Sequence, residues 1–205
     1  MPRPSILPAL LLAGLTVAAC GGEAMEEAPA AEMQGAAAPA MATAELSCYL
    51  ARGTMAESQE RPSPLQETRF QVGSGDALLC YGAPSANERE VMGQLVPFGD
   101  PWRMGANEAT ALHLAGSATI GGVAVQAGSY SLFAIPGADA WEVFVNSNFA
   151  RWGIPIDETV RSTDLGSFTA TPEMMGDFVE TLRYRFEGGE LLLEWENTRV
   201  RIPVS

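Results

Sequence analysis

A chain of 205 residues with 12 basic residues, 25 acidic residues and no lysine carries a formal charge of −13 at pH 7. Such a surface repels nucleic acid and anionic head groups, and a chain without lysine can form no Schiff base and no lysine-assisted nucleophile. With His113 as its single histidine, and with no HExxH, CxxC, GxSxG or glycine-rich phosphate loop, it lacks the parts of most familiar enzyme sites.

Arg3 and the apolar run Ile6 to Leu15 have the make-up of a secretory leader, too short to span a bilayer comfortably. Val17-Ala18-Ala19 places small residues before Cys20, the pattern of a lipoprotein signal over residues 1–19 with Cys20 as the lipidated residue. Acyl chains on Cys20 would hold the protein to a membrane, each buried methylene contributing ~0.8 kcal/mol. Gly21 in place of an aspartate points to the periplasmic side of the outer membrane. Residues 20–45 contain no aromatic and no basic residue, a composition expected of a disordered tether that reaches roughly 25–30 Å, at ~5–6 Å per square root of residue number. Export into an oxidising compartment then favours a disulfide between the two remaining cysteines, Cys48 and Cys80, worth roughly 3–4 kcal/mol on the chain-entropy model.

From Leu46 to Ser205 the chain reads as one β domain. Phe70 and Val72 alternate, Ala77 to Tyr81 is a short apolar run, and Leu112 and Leu114 share a face with His113 on the other as a half-exposed strand residue. Thr119-Ile120-Gly121-Gly122-Val123 predicts a tight hairpin, since paired glycines accept the positive φ of primed turns. Ser129 to Ile135 and Trp141 to Val145 predict two strands joined by a turn at Pro136 to Asp139. Leu182, Tyr184 and Phe186, then Leu191, Leu193 and Trp195, then Val200, Ile202 and Val204 predict a three-stranded meander. Seven to nine short strands place the fold among all-β antiparallel sandwiches or barrel-like domains. Helical turns are expected at Ser85 to Glu88, which has capping-box spacing, and after Thr171-Pro172.

Five segments, "LLCYGAP" from Leu78, "GQLVPF" from Gly93, "PWRMGANEAT" from Pro101, "GSYSLFAIP" from Gly128 and "WEVFVN" from Trp141, together resemble the bacterial family catalogued as domain of unknown function 2911, from about Ser63 to Val204. The resemblance implies a mostly β domain in exported or lipid-anchored proteins and transfers no activity. Leu65 and Ala83 stand where the family often has a histidine and an arginine. A site built on those polar groups would be reduced here.

The stretch from Trp102 to Glu108 supports two readings. Trp102, Arg103, Asn107 and Glu108 can line a ligand site with an aromatic wall, an anion donor, an amide and a carboxylate. Alternatively Gly105 permits a turn, Asn107 bonds its own backbone, an Arg103–Glu108 pair braces the loop and Trp102 covers the core edge. The irregular run from Gly82 to about Asn107 is long for a compact domain, which favours function. Arg151 and Trp152 form a second candidate edge, while Met174 and Met175 read as gap-filling core. The leading expectation is a lipid-anchored envelope domain that binds a small ligand or an envelope protein, with no cofactor, no metal and no nucleic-acid partner. The alternatives are a hydrolase-like enzyme, with Glu108 or Asp100 as general base and Arg103 steadying an oxyanion, and a purely structural envelope component.

Overall fold

In chain order the elements are α1 (Met55–Gln59), β1 (Leu65–Val72), β2 (Gly75–Gly82), β3 (Ala106–Leu114), β4 (Ala118–Ile120), β5 (Val123–Val125), β6 (Gly128–Ile135), β7 (Trp141–Asn146), α2 (Glu158–Arg161), β8 (Asp164–Ala170), β9 (Glu173–Glu187) and β10 (Glu190–Pro203). They belong to a computed structural model that describes residues 45–205, so the expected signal segment, Cys20 and all but the last residue of the expected tether fall outside the described residues. Six strands form an antiparallel sheet in the order β1-β2-β3-β6-β7-β8, and β9 and β10 form a long hairpin. The all-β antiparallel class expected from the alternation is the class observed, with helices of only five and four residues.

Alternation decides what covers what, because successive strand residues point to opposite sides of a sheet. Leu79 and Tyr81 of β2, Leu112 of β3, Leu132 of β6 and Val143 of β7 share the core with Leu182 and Tyr184 of β9 and with Leu191, Leu193 and Trp195 of β10. The hairpin therefore lies across one side of the six-stranded sheet. On the other side Leu78 and Cys80 pack with Leu65 and with Leu46, Cys48 and Leu50. The Cys48–Cys80 disulfide, with a Cα–Cα separation of 5.7 Å, fastens that N-terminal segment to β2.

Several expectations need correction. Ser85 to Glu88 is not helical: Ser85 bridges Thr181, the Ala86 amide donates to Glu180 O, and Asn87 and Glu88 take left-handed φ values of 51° and 62°. Pairing with β9 overrides the capping pattern there. Thr171-Pro172 leads into β9, not into a helix. The helices that do form start at Thr54, where Glu57 completes a capping box, and at Asp157, whose side chain accepts from the Val160 amide. The expected third terminal strand is the continuation of β10 past an irregularity at Glu196, and β8 was not foreseen because Gly166 and Ser167 interrupt its apolar pattern. The Gly121-Gly122 hairpin forms as expected, with φ values of 55° and 92°. His113 is buried at 5% exposure, not half-exposed.

Candidate functional site

The register between β2 and β3 shifts at the end of β2: Cys80 opposes Ala111, but Gly82 opposes Ala106. The extra residues on β3 bulge outward, with Asn107 at a φ of 64°. A β-carbon on Gly82 would collide with the Ala106 backbone, so the close approach that sets this register requires glycine. Just before the bulge, Met104 is also left-handed at 55°, and its carbonyl accepts from Tyr184 Oη at 2.9 Å and Thr110 Oγ1 at 3.1 Å. Gly105 is needed for space, since a β-carbon there would lie 2.8 Å from Thr110 Oγ1 and 3.1 Å from Gly82 O.

The bulge sends the four candidate residues to two sides. Glu108, 3% exposed, is held by Arg61 Nη1 at 2.8 Å from Oε2 and 3.1 Å from Oε1. Arg61 Nη2 also donates to Arg52 O, and the Arg52 guanidinium lies over the Trp152 ring at 4.4 Å. Asn107 Nδ2 donates to Ser63 O at 2.7 Å, not to its own backbone, and Asn107 O accepts from the Gly153 amide at 2.8 Å. Arg103 does not ion-pair with Glu108; its Nε donates to Gly105 O at 3.3 Å. Burial pushes the Arg103 guanidinium below its usual pKa, partly countered by the charge of Glu108. Trp102 faces the core instead. It exchanges backbone hydrogen bonds with Ala134, stacks on Trp195 at 6.1 Å and meets the edge of Trp141 at 5.7 Å. Asp100 lies exposed on the preceding turn.

Trp141, supported in this way by Trp102, is part of the wall of an open groove of about 430 Å³. Met92 and Phe98, from the irregular segment before β3, and Met174, from the start of β9, add apolar surface, and Glu90, Glu173 and Glu196 add carboxylates. Phe98 is 46% exposed and Met174 84% exposed, so the expectation that Met174 fills core is corrected. Met174 pairs with Thr198 at the edge of an irregular register, where β9 passes from Val179 back to Met174 and Met175 to Phe178 are extruded. Glu196 sits at that irregularity with a φ of 55°, a conformation that is costly for a residue with a β-carbon. Its Oε1 faces the Val91 amide at 3.5 Å. Glu173 is paired with Arg201 at 2.8 Å, whereas Glu90 and Glu196 have no ion pair among the described residues.

Sequence reasoning did not single out this groove or a second cluster on the outer side of the hairpin. There Glu194 has no exposed side-chain surface and is bonded by Arg183, Arg185 and Arg199 at 2.8, 2.8 and 2.6 Å. Hydrogen bonds from Arg185, and then from Arg199 and Arg183, hold its carboxyl down at about 2 against the opposing effect of burial. The signal was present in the alternating arginines of "RYRFE" and "TRVRI", which flank Glu194 in a predicted hairpin. On the far side of the sheet Arg151 anchors its own loop through Asn148 O, Trp152 O and Gly153 O. Nearby His113 Nδ1 lies 2.7 Å from Ser129 Oγ beneath the Phe149 ring.

The family model described as "Protein of unknown function (DUF2911)" matches residues 63–204. No curated protein and no solved structure matches the chain.

Proposed function

The chain belongs to the DUF2911 family, described only as of unknown function, and from that premise we propose that it is an exported, lipid-anchored envelope domain that binds a small, partly apolar ligand in the groove beside Trp141. The leader pattern and Cys20 support the export and anchoring half of this reading, with the acidic stretch before Leu46 as the tether. The ligand half rests on one observation: a concave surface of about 430 Å³ that leaves Phe98 and Met174 largely exposed, at 46% and 84%. Exposed apolar side chains around a cavity of this size are what a small-molecule site requires, and their exposure is otherwise unfavourable in water.

The corner from Trp102 to Glu108 contributes indirectly. Trp102 backs the groove through Trp141, while Asn107 and Glu108 fasten the corner to Ser63 and Arg61. An enzyme using Glu108 as base with Arg103 would need both groups on a shared cavity, and the Glu108 oxygens are instead occupied by Arg61.

Fluorescence of the neutral apolar probe N-phenyl-1-naphthylamine tests the ligand half. Saturable enhancement at one site per chain is expected, weakened at least fivefold by Phe98→Ser and by Met174→Ser. No saturable binding, or binding indifferent to both substitutions, rejects the groove. Incorporation of labelled palmitate tests the anchor. It should vanish in Cys20→Ala, and labelling that persists rejects lipidation at that residue.

A further inference from the structure

Resting on the groove reading above, we infer that the ligand is an amphiphilic organic cation, an ammonium carried on an apolar body, and that Glu196 and Glu90 select it. Three observations converge on this class. The groove offers apolar contact from Met92, Phe98 and Met174, so part of the ligand must be apolar. Its polar side chains that carry charge are all carboxylates, and no basic residue lines it. Of those carboxylates Glu173 is neutralised by Arg201, whereas Glu90 and Glu196 carry uncompensated charge at the rim. A ligand with an anionic head would meet that charge beside low-dielectric walls, where repulsion is strengthened; a cationic head would be attracted there.

The placement of Glu196 adds weight. Thr198 and Asn197 follow it along the same groove wall, yet only Glu196 takes the left-handed conformation, where β10 and β9 lose register. A left-handed φ costs a glutamate energy that glycine or asparagine would largely avoid. Its carboxylate meets the Val91 amide at a long 3.5 Å and makes no ion pair, so local bonding gives little return for that strain. An aromatic ring such as Phe98 beside a carboxylate is also the pairing that recognises ammonium groups through the ring face. Residues 21–45 of the chain itself carry five glutamates and no basic residue, so like charge opposes their docking in this groove.

The experiment measures the full chain. Octyltrimethylammonium, octyl glucoside and octyl sulfate, matched in tail and held below micelle formation, are titrated by calorimetry at low and at moderate salt. The cation should bind at least tenfold more tightly than the glucoside, the sulfate should bind more weakly than either, and added salt should narrow the gap. Glu196→Gln and Glu90→Gln should each lower cation affinity about three- to tenfold while leaving glucoside affinity unchanged. Equal affinity for cation and glucoside, both lost in Phe98→Ser, overturns the cation inference and leaves the groove intact. Absence of binding by all three, together with absence of naphthylamine binding, sinks the groove reading itself. A cation preference that survives both glutamine variants assigns the selectivity to the acidic surface at large and overturns the role given to these two residues.

Discussion

The two sides of the Trp102–Glu108 corner differ in how completely their polar groups are satisfied. Towards the N-terminal segment, Glu108 is closed by Arg61, and Asn107 by Ser63 and Gly153. Towards the hairpin, Trp102 supports Trp141, and beyond it lie exposed apolar side chains and carboxylates without counter-ions. A polar group that has found its partners inside the chain is spent on holding the fold. An uncompensated carboxylate at the rim of an apolar concavity still has an interaction to give. Residue type alone would have ranked the two sides the other way round, because the braced side carries the more chemical-looking residues.

This comparison predicts that the braced side dominates stability. Arg61→Ala should have the largest effect, because it strands the Glu108 carboxylate at 3% exposure with no cation bonded to it. Removing one partner of a buried pair costs about 3–5 kcal/mol. For a domain of this size that lowers the thermal midpoint by roughly 10 °C, at about 2–4 °C per kcal/mol. Differential scanning calorimetry measures it, and a shift below about 3 °C would mean that the pair does not brace the corner. Next in size is the Cys48→Ala, Cys80→Ala double variant, which opens a bridge spanning 32 residues. The chain-entropy model expects a loss of roughly 3–4 kcal/mol, and urea unfolding with and without reductant should reproduce it in the unmodified protein.

A smaller and pH-dependent loss is expected at Glu194. Its carboxyl is depressed from the ordinary 4.5 to about 2, so the folded state binds this proton less readily than the unfolded chain. The stabilisation is therefore fully present above about pH 4.5 and is lost as pH falls towards 2. Because the arginines around it are 27–54% exposed, solvent screening limits the contribution to on the order of 1–2 kcal/mol. Midpoints of the wild type and Glu194→Gln should differ at pH 7 and converge as pH drops from about 4.5 to 2. A constant difference across that window would show that the ionised form is not what stabilises.

The strands were legible wherever one face was apolar and the other polar. Leu182, Tyr184 and Phe186 against Leu191, Leu193 and Trp195 announced the hairpin by their alternation. The break between two expected terminal strands was not real, because Glu196 to Arg199 stay in β10 through an irregularity that has no periodicity of its own. Helix signals failed for a different reason. Ser85 to Glu88 and Thr54 to Glu57 both have capping spacing, but only the second is free of a strand to pair with. The corner's importance was visible in the Met104-Gly105-Ala106-Asn107 run, whereas its partners were not. Arg61 and Ser63 reach Glu108 and Asn107 across 47 and 44 positions, a distance that no local pattern encodes. The groove was hidden for the same reason, since Glu90, Phe98, Trp141, Met174 and Glu196 meet only after the sheet has formed.

The smallest effect on folding should come from the groove side, and that smallness separates the two sides. Met174 is 84% exposed, so Met174→Ser removes little buried surface and should shift the thermal midpoint by no more than about 1–2 °C, within the ±0.5 kcal/mol usual for surface substitutions. The same substitution removes an apolar contact from a bound ligand and should weaken N-phenyl-1-naphthylamine binding severalfold. Arg61→Ala, measured below its own melting temperature, should behave in the opposite way, unstable yet with near-normal affinity, because it touches the brace and not the groove. If instead Met174→Ser unfolds the domain, the start of β9 is a packing element and the uneven division between the two sides fails. If Arg61→Ala abolishes binding while the sheet remains folded, the ligand sits at the braced corner after all, and the polar groups that look satisfied are the ones that exchange their partners.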